Sequence, residues 1–436
     1  MSAVVASGST TAAFRSVPRR AVEDRVERLF VGALFISAFG LLVGTNVVLV
    51  GDVSVLLLAT TFTLLRGSEH AYFRALAGLL YLLVTVYIVS AFGPNFPGWY
   101  PALLGLRKAL PPWILLVVGV AWPCDRVRLI GRLVTLVLLI CGACLLLHNA
   151  APGVEAAVTR SAGTYTSLYA GKPRLQGMLA GPFHAALAGV VLVVCSLGLP
   201  AVWTARWLRL LSAAVGILVL FQANVRSGWI AAFSGLLVVI ALRPTRRGVP
   251  RAMRIVMLAG ALGAAVLTNL QSLALRNNAA LESLTHWRTD TRLLNRLETY
   301  REAGALIRQR PLTGWGPGSA ADTLGRYFEN GVHVTAHNMF LAYAVEAGVA
   351  AAVIVAAMLF VAGRALLRAS HDSAVAVTGL GLLAALVVFG ATGTAVDAAP
   401  ISWILLLIVG LAVRSSSGVP ISRSDDTRPR IRASLS

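Results

Sequence analysis

Apolar runs close to membrane-spanning length recur along almost the whole chain, and they decide what it can fold into. They lie near residues 29–50, 53–65, 75–92, 110–122, 129–148, 183–201, 208–222, 227–242, 255–275, 339–363, 374–392 and 399–413. A helix needs about 20 residues to cross the hydrocarbon core. The runs at 53–65 and 110–122 are the shortest. Strand-type alternation is absent, which excludes a transmembrane barrel and leaves helices as the spanning structure. The expected fold is therefore all-α and polytopic, with about 12 transmembrane helices (10–12). Composition agrees: 57% of residues are hydrophobic and 13% charged, against about 25% charged in a soluble domain. A soluble globular enzyme, a disordered chain and a disulfide scaffold are excluded.

The net charge of +20 comes from 38 basic and 18 acidic residues. Cytoplasmic loops carry the Lys/Arg excess of a membrane protein. With the N-terminus inside and twelve spans, the clusters at 15–28, 66–74, 126–132, 206–209, 243–254, 364–368 and 414–432 all fall on the cytoplasmic side. That topology gives a cytoplasmic segment 1–28 and a multi-span domain 29–413 in the cell membrane. A Ser-, Arg- and Asp-rich tail, 414–436, is expected to be disordered. The first run is long enough to be a signal anchor rather than a cleaved leader. The basic excess is an orientation signal plus a small anion site, not nucleic-acid affinity. Cys141 and Cys144 form a C-x-x-C inside an apolar run, where core packing is expected.

Two long connections fall outside, 149–182 and 276–336, the second between spans 9 and 10. Within it, TRLLNRLETYREAGALIRQRP places Leu293, Leu297, Tyr300, Gly304 and Ile307 on one helical face, with Pro311 as a stop. This predicts an amphipathic helix against the membrane or over a cavity. LTGWGPGS then marks a tight turn.

Three residues stand at the external ends of spans: Arg174 in GKPRLQGMLAGPFHAAL, Arg226 in FQANVRSGWIAAF, and His337 in HVTAHNMFLAYAVEAG. Each alone has an ordinary explanation, since an arginine at a membrane edge snorkels and an interfacial histidine packs. Together they suggest chemistry. Two guanidiniums can clamp a diphosphate, and an imidazole can take a proton from an attacking hydroxyl. That set suits transfer from a polyprenyl-diphosphate sugar whose lipid lies between helices. Arg292 either touches donor phosphate or forms an ion pair at its helix start. His184 either lines an acceptor entry or packs at the interface. Asn338 either contacts substrate or caps the following helix. Gln176 and Asn224 are either hydrogen-bonders to sugar or phosphate, or solvated loop ends. Glu346 is expected to be a structural partner, and the role of Asp397 stays open.

At these positions the sequence resembles the O-antigen ligase and O-antigen polymerase superfamily. His337-Asn338, nine residues, Gly348, two residues and Ala351 resemble its hallmark. Arg292 with LLNRLETYREAGALIRQRPLTGWGPGS resembles its helix and Pro-Leu-x-Gly-x-Gly turn. Arg174 with Gly177 and Gly181-Pro182-Phe183, and Arg226-Ser227, resemble its arginine-bearing segments, although Val225 and Ala351 depart from the commoner residues. The resemblance implies a GT-C-like glycosyltransferase without metal or cofactor, acting outside the membrane. The donor would be a polyprenyl-diphosphate-linked glycan, and the acceptor a glycan, lipid, wall or protein hydroxyl. By the same resemblance Arg174 and Arg226 hold the donor diphosphate and His337 is the base of an inverting transfer. The competing class is a membrane transporter or a non-catalytic component of a polysaccharide export system. A transporter would carry charges near the bilayer midplane, where the sequence has almost none.

Overall fold

The computed structural model describes residues 19–65, 71–93, 98–122, 126–161, 168–169, 172–202, 205–243, 291–320, 334–393 and 398–415. Their regular structure is helical apart from a two-residue antiparallel pair, Leu168–Tyr169 with Lys172–Pro173. In chain order the helices are α1 (Arg19–Phe39), α2 (Thr45–Leu65), α3 (Ala71–Ala91), α4 (Trp99–Ala109), α5 (Pro111–Ala121), α6 (Arg126–Ala150) and α7 (Pro152–Ser161). They continue with α8 (Pro182–Gly198), α9 (Arg206–Ala223), α10 (Arg226–Leu242), α11 (Thr291–Gln309), α12 (Met339–Ala347), α13 (Val349–Ala369), α14 (Ala374–Thr392) and α15 (Ile401–Ser415).

Among the described residues, 6 helical stretches are long and apolar enough to cross a membrane: 71–91, 102–121, 126–150, 206–223, 349–369 and 374–392. Four shorter apolar helices accompany them, within 46–61, 182–198, 226–242 and 401–414. The chain is a helical membrane protein. The run at 255–275 and much of the 276–336 loop lie outside the described residues.

The structure redraws three of the apolar runs. The run at 29–50 is broken by a tight 3-10 turn at Gly40–Leu42, so the first two helices are 19–39 and 45–65. The short run at 110–122 gains length from α4, which joins it at a kink where Pro111 and Pro112 open α5. Proline tolerates a first turn but not a helix interior. The run at 339–363 divides at Gly348 into α12 and α13. None of these breaks changes hydrophobicity, so hydropathy alone does not reveal them.

An intramembrane charge also appears where few were expected. Asp52 on α2 is buried and paired with Arg107 on α4, whose Nε donates over 2.6 Å, and the Ser37 hydroxyl donates to its other oxygen. A buried carboxylate is tolerable only when paired and hydrogen-bonded in this way.

Arginines fasten one end of the bundle. Arg414 Nη1 donates to the carbonyls of Ala121 (2.6 Å) and Trp122 at the end of α5. Arg243 donates to the Leu197 carbonyl at the end of α8, and Arg368 to the Tyr72 hydroxyl, both over 2.9 Å. Arg128 pairs with Asp24 at 3.0 Å, and Arg132 pairs with Glu27. The last carbonyls of a helix lack intrahelical donors and carry partial negative charge, so cations suit them. The opposite end, where α6 and α9 finish and α8, α10 and α12 begin, carries the site.

Candidate active site

Arg174 lies just after the short hairpin and just before α8. Its Nε donates to the Ala223 carbonyl (3.0 Å) and its Nη2 to the Asn224 carbonyl (3.1 Å), capping the end of α9. Asn224 adopts the left-handed conformation (φ 52, ψ 47) that closes the helix. Arg226 opens α10 immediately beyond. Arg174 therefore grips the very turn that leads into Arg226.

The segment carrying Arg174 is held on both sides. The Leu175 N–H donates to the Gln222 carbonyl over 3.0 Å. The Gln176 and Gly177 N–H groups donate to Glu155 Oε1 over 3.0 and 2.6 Å. The other oxygen of Glu155 accepts from His148 Nδ1 over 2.8 Å. Gly177 has φ +61, and a Cβ there would lie 2.4 Å from Cys144 Cβ on α6. Only glycine fits this position. Burial pushes the Glu155 carboxyl up. The hydrogen bonds from His148, Gly177 and Gln176, with the charge of His148, outweigh burial and hold it below the usual carboxylate range.

Phe183, in the first turn of α8, joins two of the expected site residues. The Arg174 guanidinium carbon lies 5.7 Å from its ring centroid. The His337 imidazole stacks on it at 6.4 Å with an interplanar angle of 27°. Arginine over an aromatic face is a recurrent attractive geometry. His184 follows Phe183 and is half-buried.

His337 has φ 39, a left-handed conformation unusual for a residue with a side chain. Its neighbours hold it there. Asn338 caps α12: its Oδ1 accepts from the N–H groups of Phe340 (2.9 Å) and Leu341 (3.1 Å), and its Nδ2 donates to the Ala391 carbonyl on α14 (3.0 Å). The Tyr300 hydroxyl, on α11, stands 3.3 Å from the His337 carbonyl and 3.4 Å from that of Ala391.

The spacing of the His-Asn motif now has a physical meaning. The nine residues after Asn338 are α12 itself, and Gly348 is the break that follows. The Pro311–Gly316 turn docks on this break: Trp315 N–H donates to the Val345 carbonyl (2.8 Å), Gly316 N–H to that of Glu346 (3.0 Å), and Val349 N–H to that of Pro311 (2.8 Å). At Gly314 and Gly348 a Cβ would lie 2.5 and 2.4 Å from backbone atoms of the partner segment. Glu346 is a structural partner here, its Oε2 accepting from the Tyr87 hydroxyl over 2.9 Å.

The structure thus brings Arg174 and His337 to one ring, and Arg174 to the turn that opens α10. Gln176 lies behind, 2% exposed, its Oε1 3.4 Å from the Thr159 hydroxyl. Asn338 is engaged as a cap. The side chain of Arg292, in the first turn of α11, and Asp397 lie outside the described residues. The expected apolar face of α11 is rotated. Its inward residues are Ala303, Leu306 and Ile307, packed with Trp315, Ala336 and Val345, whereas Leu297 is 48% exposed. Sequence reasoning missed Phe183, Tyr300 and Glu155 as site-building residues. Phe183 and Tyr300 stood inside quoted motifs, while nothing in the sequence marks Glu155.

Comparison with curated proteins returns no match. The family model described as O-antigen ligase matches residues 211–356, from α9 to α13, a stretch that contains Arg226, His337, Asn338 and Gly348. Over that stretch the chain is similar to the O-antigen ligase family.

Proposed function

We propose that the protein is a membrane glycosyltransferase that moves a glycan from a polyprenyl-diphosphate donor to an acceptor hydroxyl on the extracytoplasmic face, by ligation or polymerisation of surface polysaccharide. The observation that carries this reading is the shared contact of Arg174 and His337 with Phe183, beside the helix start that holds Arg226. The donor diphosphate sits against Arg174 and Arg226. Their positive charge stabilises the negative charge that develops on the leaving diphosphate, which is usually a large catalytic term. His337 takes the proton of the acceptor hydroxyl as its oxygen attacks the anomeric carbon from the face opposite the diphosphate. The carbon–oxygen bond to diphosphate breaks as the new glycosidic bond forms, which inverts the anomeric centre. Charge stabilisation by arginine fulfils the role a divalent ion plays elsewhere, so the reaction proceeds without added metal.

The left-handed backbone of His337 supports the assignment, because strain of this kind concentrates at functional sites. His184 and Arg292 are assigned to the acceptor entry and the donor phosphate. Gln176 and Asn338 act behind the substrate, one packing the Arg174 segment and the other fixing His337. The test is direct. Purified protein with a polyprenyl-diphosphate oligosaccharide and acceptor releases polyprenyl diphosphate in the presence of EDTA. His337→Ala and Arg226→Ala each lower release at least about 100-fold, on the scale of losing a general base or a charge-stabilising donor, while remaining folded. Normal turnover in both variants would reject this assignment of the site, no release by the wild type would return the protein to the non-catalytic class, and full dependence on a divalent ion would reject the mechanism.

A further inference from the structure

The Arg174 segment has no regular structure to hold it, only the fastenings around it. The hairpin ends at Pro173 and α8 begins at Pro182. Between them a single carboxylate accepts from two successive backbone N–H groups, those of Gln176 and Gly177, and a third group, His148, faces its other oxygen. Glu155 and His148 belong to α7 and α6, so the carboxylate ties both helices to the turn. The side chain is nearly buried, 11% exposed against 13% for His148. The turn so fixed begins two residues after Arg174, whose guanidinium must reach Phe183 and the Ala223 and Asn224 carbonyls together. A sub-ångström error in the turn is amplified along a side chain as long as arginine, and misplacement of about 1 Å costs as much as 100-fold in a reaction that depends on orientation.

We propose that Glu155 is a positioning residue for the site: by holding the N–H groups of Gln176 and Gly177 it sets the place of the Arg174 guanidinium, and so the affinity for the diphosphate of the donor. This rests on the reading of Arg174 as a diphosphate ligand. Glu155 touches no substrate. Its effect passes through Arg174, which makes the two residues non-additive.

The experiment measures binding of polyprenyl diphosphate, without glycan, to the full-length protein in nanodiscs, normalised to folded protein. Arg174→Ala and Glu155→Ala each weaken binding tenfold or more, and the double variant binds no more weakly than Arg174→Ala. Glu155→Gln keeps an oxygen for both N–H groups and binds within about threefold of wild type, a rescue that loss of fold stability alone would not produce. Should Glu155→Ala fail to fold, Glu155→Asp replaces it, being one methylene too short to reach Gly177 and His148 at once. Wild-type affinity in Arg174→Ala, or no binding by wild type, overturns the diphosphate reading and this proposal with it. Weak binding by Arg174→Ala beside full binding by the Glu155 variants overturns this proposal alone. A further tenfold loss in the double variant shows that Glu155 does not act through Arg174 and also overturns it.

Discussion

At the scale of the residue, the site is made by side chains that hold backbone more than by side chains that face outward. Asn338 is the clearest case. Its oxygen caps α12 and its amide nitrogen ties the cap to Ala391, so both atoms serve the conformation of the preceding His337. Loss of an Asn cap costs about 1 kcal/mol, and the lost Ala391 bond adds about as much. Asn338→Ala is therefore expected to lower the thermal midpoint and turnover together. Asn338→Asp keeps the capping oxygen but loses the Ala391 donor, and is expected to recover at most about half of the stability that Asn338→Ala loses; equal losses in the two variants would separate the cap from the function. Glu155 makes a pH prediction. Its folded carboxyl is held below the usual range. The stabilisation from this group is complete above the ordinary carboxylate pKa and disappears as pH falls through the lowered folded value. The stability gap between wild type and Glu155→Gln should close on that acid side. A gap unchanged by acid would show that the carboxylate charge contributes nothing. His337, Arg174 and Arg226 were legible in the sequence because each is a costly residue at the edge of an apolar run. Glu155 and Phe183 were not, because their roles depend on contacts between segments that only the fold brings together.

At the scale of the element, the external turn and the α12–α13 break form one unit. Backbone meets backbone there, with no room for a methyl group on Gly314 or Gly348. Gly348 has φ +84 as well. Gly348→Ala combines a backbone-strain cost of about 1–3 kcal/mol with an overlap against the Leu312 carbonyl, which no side-chain rotation relieves. Little folded protein is expected, measured as the monodisperse fraction after detergent extraction. Gly142→Ala on α6 is the matched control. A Cβ there meets nothing within 4 Å, and helix propensity favours the change by up to about 1 kcal/mol. A well-folded Gly348→Ala protein would mean that the turn does not dock in the membrane-bound state. Helix α11 and its proline stop were readable from periodicity, since the described helix ends at Gln309 just before Pro311. Its rotation was not, because Ala303 buries while Leu297 does not, and a small residue gives no hydropathy signal. The kink at Pro111 and the breaks at Gly40 and Gly348 escaped the hydropathy reading for the same reason: they alter direction without altering polarity.

At the scale of the molecule, the two ends of the bundle have opposite chemistry. One end is fastened by arginines on helix carbonyls, acids and the Tyr72 hydroxyl, namely Arg128, Arg132, Arg243, Arg368 and Arg414, all from clusters that the positive-inside rule assigns to the cytoplasm. The other carries the Phe183 cluster and the docked turn. Helix α13 joins the two ends. Its 21 residues span about 30 Å, the thickness of a hydrocarbon core. It begins beside the docked turn, where Leu312 is 80% exposed, and ends at the exposed turn that contains Asp372. Cysteines at Leu312 and Asp372 therefore report opposite faces of the membrane. Cys141, Cys144 and Cys195 are buried, so a Cys124→Ser background leaves little competing thiol. In intact cells a membrane-impermeant maleimide should label Leu312→Cys and not Asp372→Cys, and permeabilised cells should label both. The reverse pattern would place the arginine-fastened end outside. It would put the Arg174–His337 cluster on the cytoplasmic face and end the proposal of an extracytoplasmic transfer, whatever the geometry of the site. Equal labelling of both in intact cells would mean that α13 does not cross the bilayer, and the assignment of the two ends would fall with it.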